Sequence, residues 1–124
     1  MAESVVFTGE RSDIPQIMAA CDVFSMPSIE EPFGLVYLEA MATQRPVVGV
    51  NDGGTPEVVE HGLSGLLAPT RDVEALAANI VTLLEDRGLR VRMGAHGRAR
   101  VLDHFNARRM ARDAGAAYDA ILDA

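Results

Sequence analysis

Two carboxylates, Glu31 and Glu39, lie eight positions apart in the segment Pro27-Ser28-Ile29-Glu30-Glu31-Pro32-Phe33-Gly34-Leu35-Val36-Tyr37-Leu38-Glu39-Ala40-Met41-Ala42. The first half of this segment reads as a loop, and the second half as a helix beginning near Gly34. A Gly at that point lets the backbone approach a ligand closely. The first-turn amides of Gly34, Leu35 and Val36 would point out of the helix end, where the helix dipole adds roughly half a positive charge. That combination makes an anion site. One reading has Glu31 stabilising the helix end and Glu39 solvated. The other has the helix end holding a phosphate while the carboxylates accept hydrogen bonds from sugar hydroxyls.

The remaining polar residues carry less. His61, His96 and His104 are scattered, with no metal-ligand spacing among them, so no metal is expected. Cys21 precedes an apolar run and reads as a small core residue. Ser28 reads as a hydroxyl that positions the 27–33 loop, and no Ser-His-Asp arrangement can be argued. Glu57 reads as structural. The Arg-rich stretch from Arg87 to Arg112 reads as a solvated helix face paired with Asp86, Asp103 and Asp113.

Strands alternating with helices must position the motif. Residues 4–8 read as a buried strand closed by Gly9, and 13–20 as a helix that Asp13 can cap. Residues 22–26 are a second strand, stopped by Pro27. The motif helix spans about 34–43, and strand 46–50 follows. The loop Asn51-Asp52-Gly53-Gly54 leads to a helical turn over 55–60 and strand 65–68. After Pro69, Asp72 is a plausible cap for a helix with Val73, Leu76, Ala77, Ile80, Leu83 and Leu84 on one face. Two more helices are predicted over 89–103 and 106–123, the last with Met110, Ala114, Ala117, Tyr118, Ile121 and Leu122 on one side. The expected fold is α/β: a partial Rossmann-like parallel sheet of about four strands with helices on its faces and a helical C-terminus. Ligands of such sheets bind outside the C-terminal strand ends.

The 124 residues bound the reading to one domain, with β-α repeats over 4–70 and C-terminal helices over 72–123. All 11 basic residues are Arg. Residues 1–70 carry two Arg against ten carboxylates, a balance of −8, and residues 71–124 carry nine Arg against eight carboxylates. A net acidic chain without a basic stripe is a poor nucleic-acid binder. No apolar run approaches the roughly 18 residues of a membrane span. No signal peptide is visible at Met1-Ala2-Glu3-Ser4, and one cysteine forms no intrachain disulfide, so a cytoplasmic setting is expected.

The ordered run Pro-Ser-x-x-Glu-Pro-Phe-Gly-Leu-Val-x-Leu-Glu-Ala-Met-Ala closely resembles the Glu-x7-Glu motif of family 4 (group 1) retaining glycosyltransferases. The resemblance continues through Pro46-Val47-Val48, Gly53-Gly54-Thr55-Pro56-Glu57 and Gly62-Leu63-Ser64-Gly65-Leu66-Leu67. It begins at Val5-Val6-Phe7-Thr8-Gly9, and Asp103-His104-Phe105 and the terminal helix also look like the family's close. It implies the donor-binding, C-terminal part of a GT-B fold and glycosyl transfer from a UDP-, GDP- or ADP-sugar with retention. Glu31 would contact the donor sugar and stabilise charge at its anomeric carbon. Ser28 and the amides around Phe33, Gly34 and Leu35 would lie at the sugar and distal phosphate, and Glu39 would hold the ribose. Gly9, Glu10 and Arg11 would lie near the base, with Gly53 and Gly54 shaping the far side. No cofactor is implied. A nucleotide-sugar epimerase on the same two-domain fold fits the motif less well, and a non-enzymatic fragment that self-associates or weakly binds nucleotide is the other alternative.

The resemblance also implies missing parts: an N-terminal acceptor domain and two opening strands carrying the cations that clamp the diphosphate. Transfer by these residues alone is therefore not expected, and membrane contact is expected only in a full-length parent, through the Arg-rich end. In a sheet of order 3-2-1-4-5-6, strands 4–8 and 22–26 are not neighbours. Either strand 4–8 moves in beside strand 22–26 to give four strands, or the unpaired edge recruits a second chain as a homo-oligomer. Gln44 stands where the family commonly has Gly in a left-handed helix cap, at a cost of about 1 kcal/mol.

Overall fold

The computed structural model describes residues 2–123. After a 3₁₀ turn at Ala2–Ser4, the elements in chain order are α1 (Ile14–Ala20), β1 (Phe24–Ser25), α2 (Leu35–Ala42), β2 (Val47–Val50) and α3 (Thr55–Val58). They continue with β3 (Gly65–Ala68), α4 (Val73–Glu85), α5 (Arg87–His104) and α6 (Ala107–Leu122). The three strands are parallel, in the order β1-β2-β3. Val47 lies level with Phe24 on one side and Gly65 on the other.

All four β2 residues are buried, as a central strand covered on both faces requires. Successive side chains point to opposite faces, so two cores form. Val47 and Leu67 join Met18, Tyr37, Ala40, Met41, Val58 and Val59 on one side. Val48 meets Leu83 and Met93 on the other, with Leu66, Leu76 and Ile80 packed around them. The long α5 serves both: Met93 enters the second core while Val101 and Phe105 pack on the first. A side chain at Gly94 would collide with the backbone carbonyl of Gln44, and one at Gly97 would sit 3.1 Å from Met41 Cγ. These glycines cost helix propensity, about 1 kcal/mol each, and permit the close α2–α5 approach.

Side-chain caps set three helix starts. Asp72 accepts from the Ala75 amide at 2.9 Å, as predicted, Asp86 from Leu89 at 2.8 Å, and Asn106 from Arg109 at 2.9 Å. Asp86 starts α5 two residues earlier than the apolar pattern suggests. Asp13 makes no cap bond at α1. Its carboxylate is taken instead by Arg11, in a bidentate pair at 2.8 and 2.7 Å that holds it below the usual carboxylate range. Gln44 is left-handed, with φ +60°, as its position after α2 anticipates.

One expectation fails. Residues 4–8 do not join the sheet, which has three strands and not four. Val6 and Phe7 are 82% and 94% exposed. Strand structure needs a neighbour's ladder, and β1 is only two residues long, too short an edge to hold five. The apolar side of α6 adds nothing to the core, and the helix has no buried residue.

Candidate functional site

The loops that follow β1 and β2 meet at the C-terminal edge of the sheet and are laced together through their backbones. The Gly54 amide donates to the Glu31 carbonyl at 2.7 Å, and the Glu30 amide donates to Asp52 Oδ2 at 2.7 Å. A Cβ on Gly53 would strike the Glu31 backbone, and one on Gly54 the Pro32 carbonyl. Gly53 also has φ +55°, a region that favours glycine. The structure therefore brings Glu31, Gly53 and Gly54 together.

Gly34 begins α2 with φ +85°, and a Cβ there would lie 2.5 Å from the Tyr37 ring and 3.5 Å from Glu31 Cγ. Among the described residues, the amides of Gly34, Leu35 and Val36 find no acceptor. Glu31 is half-buried beside this open helix end, its Oε1 3.5 Å from the Phe33 amide, at the long limit of a hydrogen bond. A half-buried carboxylate and a ring of unsatisfied donors thus share one mouth, which suits a ligand carrying both anionic oxygens and hydroxyls.

Glu39 lies one turn above Leu35 on the same helix stripe. It lines a groove of about 330 Å³ between α1 and α2, with Ile14, Pro15, Met18, Ala42 and Thr43. Glu31 does not line that groove. Glu31 stands in the loop before α2 and Glu39 within the helix, not in one shared cavity. Gly9, Glu10 and Arg11 are exposed in the loop that leads into Ile14 and Pro15 at the end of the groove. Ser28 is half-buried and makes no side-chain hydrogen bond among the described residues, so its positioning role has no contact behind it. No cluster of metal-ligating side chains occurs among the described residues, and none of their helices is long and apolar enough to cross a membrane.

Residues 1–86 match the family described as glycosyl transferases group 1. The chain belongs to that family. N-acetyl-alpha-D-glucosaminyl L-malate synthase of Bacillus anthracis is 35% identical over 108 residues, which are 87% of this chain and 28% of that protein. HepE of Anabaena, solved with UDP and glucose, superposes with a TM-score of 0.86 at 36% identity, covering 94% of this chain and 32% of HepE. The C-terminal domain of the group 1 protein LpcC from Francisella tularensis superposes at 0.72 with 27% identity, over 83% of this chain and 53% of that one. The chain thus spans about a third of its full-length group 1 relatives.

Two further residues hold this candidate site in place. Tyr37 is fully buried under Gly34, and its hydroxyl donates to the Met26 carbonyl at 2.5 Å, pinning the start of α2 to the end of β1. Burial pushes its phenol above the ordinary value. Arg100 is the second. Its Nε and Nη2 donate to the carbonyls of Val58 (2.9 Å) and Glu57 (2.8 Å), closing the C-terminal end of α3. Nη1 lies 3.0 Å from Glu60, and the guanidinium sits 5.3 Å from the Phe105 ring centroid. Phe105 meets Phe33 of the site loop edge-on at 6.0 Å.

The Arg-rich stretch is accordingly less of a solvated, carboxylate-paired face than expected. Of Asp86, Asp103 and Asp113, only Asp113 forms ion pairs among the described residues, with Arg109 and Arg112. Arg90 bonds the Leu83 and Leu84 carbonyls at 2.6 and 2.7 Å, and Arg98 reaches the Ala42 carbonyl. Arginine forks here close helix ends across the fold. Glu60 is held below the usual carboxylate range, first by its 2.7 Å hydrogen bond with His96.

Proposed function

We propose that this chain is one partial nucleotide-sugar-binding domain, the donor-binding part of a retaining glycosyltransferase. The observation that carries the reading is the open start of α2: three amides without acceptors, flanked by Glu31, with Glu39 one turn above Leu35 on the same helix in a separate groove. In this reading the nucleoside lies along the α1–α2 groove, with Glu39 accepting from the ribose hydroxyls and the base toward Gly9, Glu10 and Arg11. The diphosphate approaches the α2 amides. The donor sugar sits against Glu31, with Ser28, Phe33, Gly34, Leu35, Gly53 and Gly54 around it.

During transfer, the bond between the anomeric carbon and the diphosphate oxygen breaks with its electron pair on the leaving diphosphate. Positive charge grows on the anomeric carbon, and the Glu31 carboxylate stabilises it while the acceptor hydroxyl forms the new bond to that carbon from the side the diphosphate leaves and passes its proton to the leaving diphosphate oxygen. The α2 amides stabilise the departing negative charge without a metal. A helix end contributes about 0.3–2 kcal/mol to an anion, against the −8 balance of residues 1–70. The diphosphate cations therefore belong to two opening strands of this donor-binding domain and the acceptor site to an N-terminal domain of a full-length enzyme, and these residues alone bind donor without transferring it. HepE, solved with UDP and glucose, supports a nucleotide-sugar ligand. A soluble donor and a single cysteine fit a cytoplasmic setting.

Calorimetry with UDP-, GDP- and ADP-sugars tests this reading. At least one donor is expected to bind, more weakly to Glu39→Ala and Glu31→Gln. Detectable sugar transfer by this chain, abolished by Glu31→Gln, would overturn the expected inactivity in isolation.

A second property rests on its own observation. The outer edge of β1 has no strand beside it, while Val5, Val6 and Phe7 are exposed. A homo-oligomer through this edge covers these side chains with a second copy, the two-residue β1 ladder adding little.

A further inference from the structure

We propose that Thr55 is a positioning residue of the donor site: through the buried phenol of Tyr37 it holds the Gly53–Gly54 loop in register with Glu31 and the open start of α2. The role rests on the donor-binding reading for its ligand. Tyr37 reaches from the first turn of α2 to the sheet. Its ring passes under Gly34, where a Cβ would lie 2.5 Å from a ring carbon. Its hydroxyl end passes over Gly49 of β2, where a Cβ would lie 2.5 Å from the phenol oxygen. Phe24 of β1 meets the ring edge-on at 6.1 Å. The phenol is thus fixed between two glycines, and its proton goes to the Met26 carbonyl at the root of the 27–33 loop.

Thr55 belongs to the other loop. It follows Gly54 directly as the first residue of α3, and it is 0% exposed. Its Oγ1 is buried and completes no hydrogen bond of good geometry among the described residues. The group beside it is the Tyr37 phenol, which burial raises and the neighbouring Thr55 hydroxyl lowers again, while the Glu31 charge acts on the same phenol. A phenol has one proton, here given to Met26, and lone pairs left on its oxygen, so Thr55 can only donate to it. The order Thr55, Tyr37, Met26 ties the start of α3 to the start of α2 and the end of β1, and each polar contact in such a chain polarises the next. A buried hydroxyl short of full hydrogen-bond geometry lowers stability, and valine has the same shape without it. Packing alone is served better by valine, so the contribution of this hydroxyl lies in the register of the two loops.

Thr55→Val and Thr55→Ser separate the hydroxyl from the packing. Calorimetry with UDP-, GDP- and ADP-sugars, urea unfolding and NMR spectra of the 124-residue chain read both variants. Thr55→Val is expected to weaken binding of the preferred donor by about threefold to tenfold, while its urea midpoint holds or rises. Thr55→Ser keeps the hydroxyl and loses a buried methyl, so it is expected to bind donor as the wild type does, with a lowered midpoint. Without donor, Thr55→Val is expected to shift the Tyr37 ring signals and the Gly34 and Leu35 amides, and Thr55→Ser to leave them in place. Wild-type donor affinity in Thr55→Val overturns the proposal. A loss of affinity that Thr55→Ser shares assigns Thr55 to packing and overturns it too. A wild-type chain that binds none of the donors ends the donor-binding reading; the donor-free spectra then decide the loop register, and Gly34 and Leu35 amides unmoved by Thr55→Val overturn that as well.

Discussion

The amide of Gly54 donates to the carbonyl of Glu31 at 2.7 Å, with both glycines of the 51–54 loop pressed against the backbone of residues 30–33. The acidic residue of the site is thus positioned by a neighbouring loop's main chain. Gly54→Ala would drive a methyl group into the Pro32 carbonyl. The expected cost is about 1–3 kcal/mol, together with lost donor binding. Thermal unfolding and calorimetry on the same sample read both.

Arg100 links three parts of the site: the end of α3, Glu60, and the Phe105–Phe33 aromatic pair. Charged hydrogen bonds contribute about 1.5–3 kcal/mol, so Arg100→Met is expected to lose stability in that range. Arg100→Lys should recover only part of it, because one ammonium cannot span two carbonyls in a planar fork. Urea unfolding midpoints order the three proteins as Arg, then Lys, then Met. Equal midpoints for Lys and Arg would rule out the fork.

Much of this arrangement is legible in the sequence. The chain order of Pro, Gly and apolar runs placed β2, β3 and α2 within a residue or two, and Asp72 marked α4 because a cap acts locally. Glu31 and the Gly34 helix end were legible because loop, glycine and helix signals adjoin in sequence. Arg100 was not: it bonds backbone carbonyls 42 and 43 positions away, and carbonyls carry no sequence signal. Gly94 was hidden for the same reason, since the Gln44 carbonyl explains it. Residues 4–8 have strand composition, yet a strand is a property of two neighbours, and the sheet offers no adequate second one. Spacing left Glu31 and Glu39 open between a structural and a ligand role, and the family resemblance alone puts them on one ligand; in the structure Glu31 stands in the loop before α2 and Glu39 in a separate groove on the helix.

Gln44 holds φ +60° with an exposed side chain. Gln44→Gly is expected to stabilise the fold by about 0.5–1 kcal/mol, by removing the left-handed strain of a non-glycine residue. A lowered midpoint in chemical denaturation would instead show that the glutamine side chain makes a stabilising contact.

Glu60 supplies a pH dependence. Its carboxyl is depressed in the folded state, first by the His96 hydrogen bond and also by the nearby Arg100 and His104 charges. A depressed carboxyl contributes stability above its unfolded value, about 4.3, and loses it as pH falls through the folded value. The wild-type protein is therefore expected to weaken below about pH 4.3 more steeply than Glu60→Gln. Urea midpoints from pH 6 down to about pH 3 compare the two. Parallel curves would exclude Glu60 as a contributor.

Amide chemical-shift mapping during titration with UDP-, GDP- and ADP-sugars tests donor binding most directly. The expected result is a set of shifts at Gly34, Leu35 and Val36 that continues along Ile14, Glu39 and Thr43 for at least one donor. Donor-induced shifts confined to other surfaces, or none at these amides for any of the three nucleotides at millimolar concentration, would contradict it.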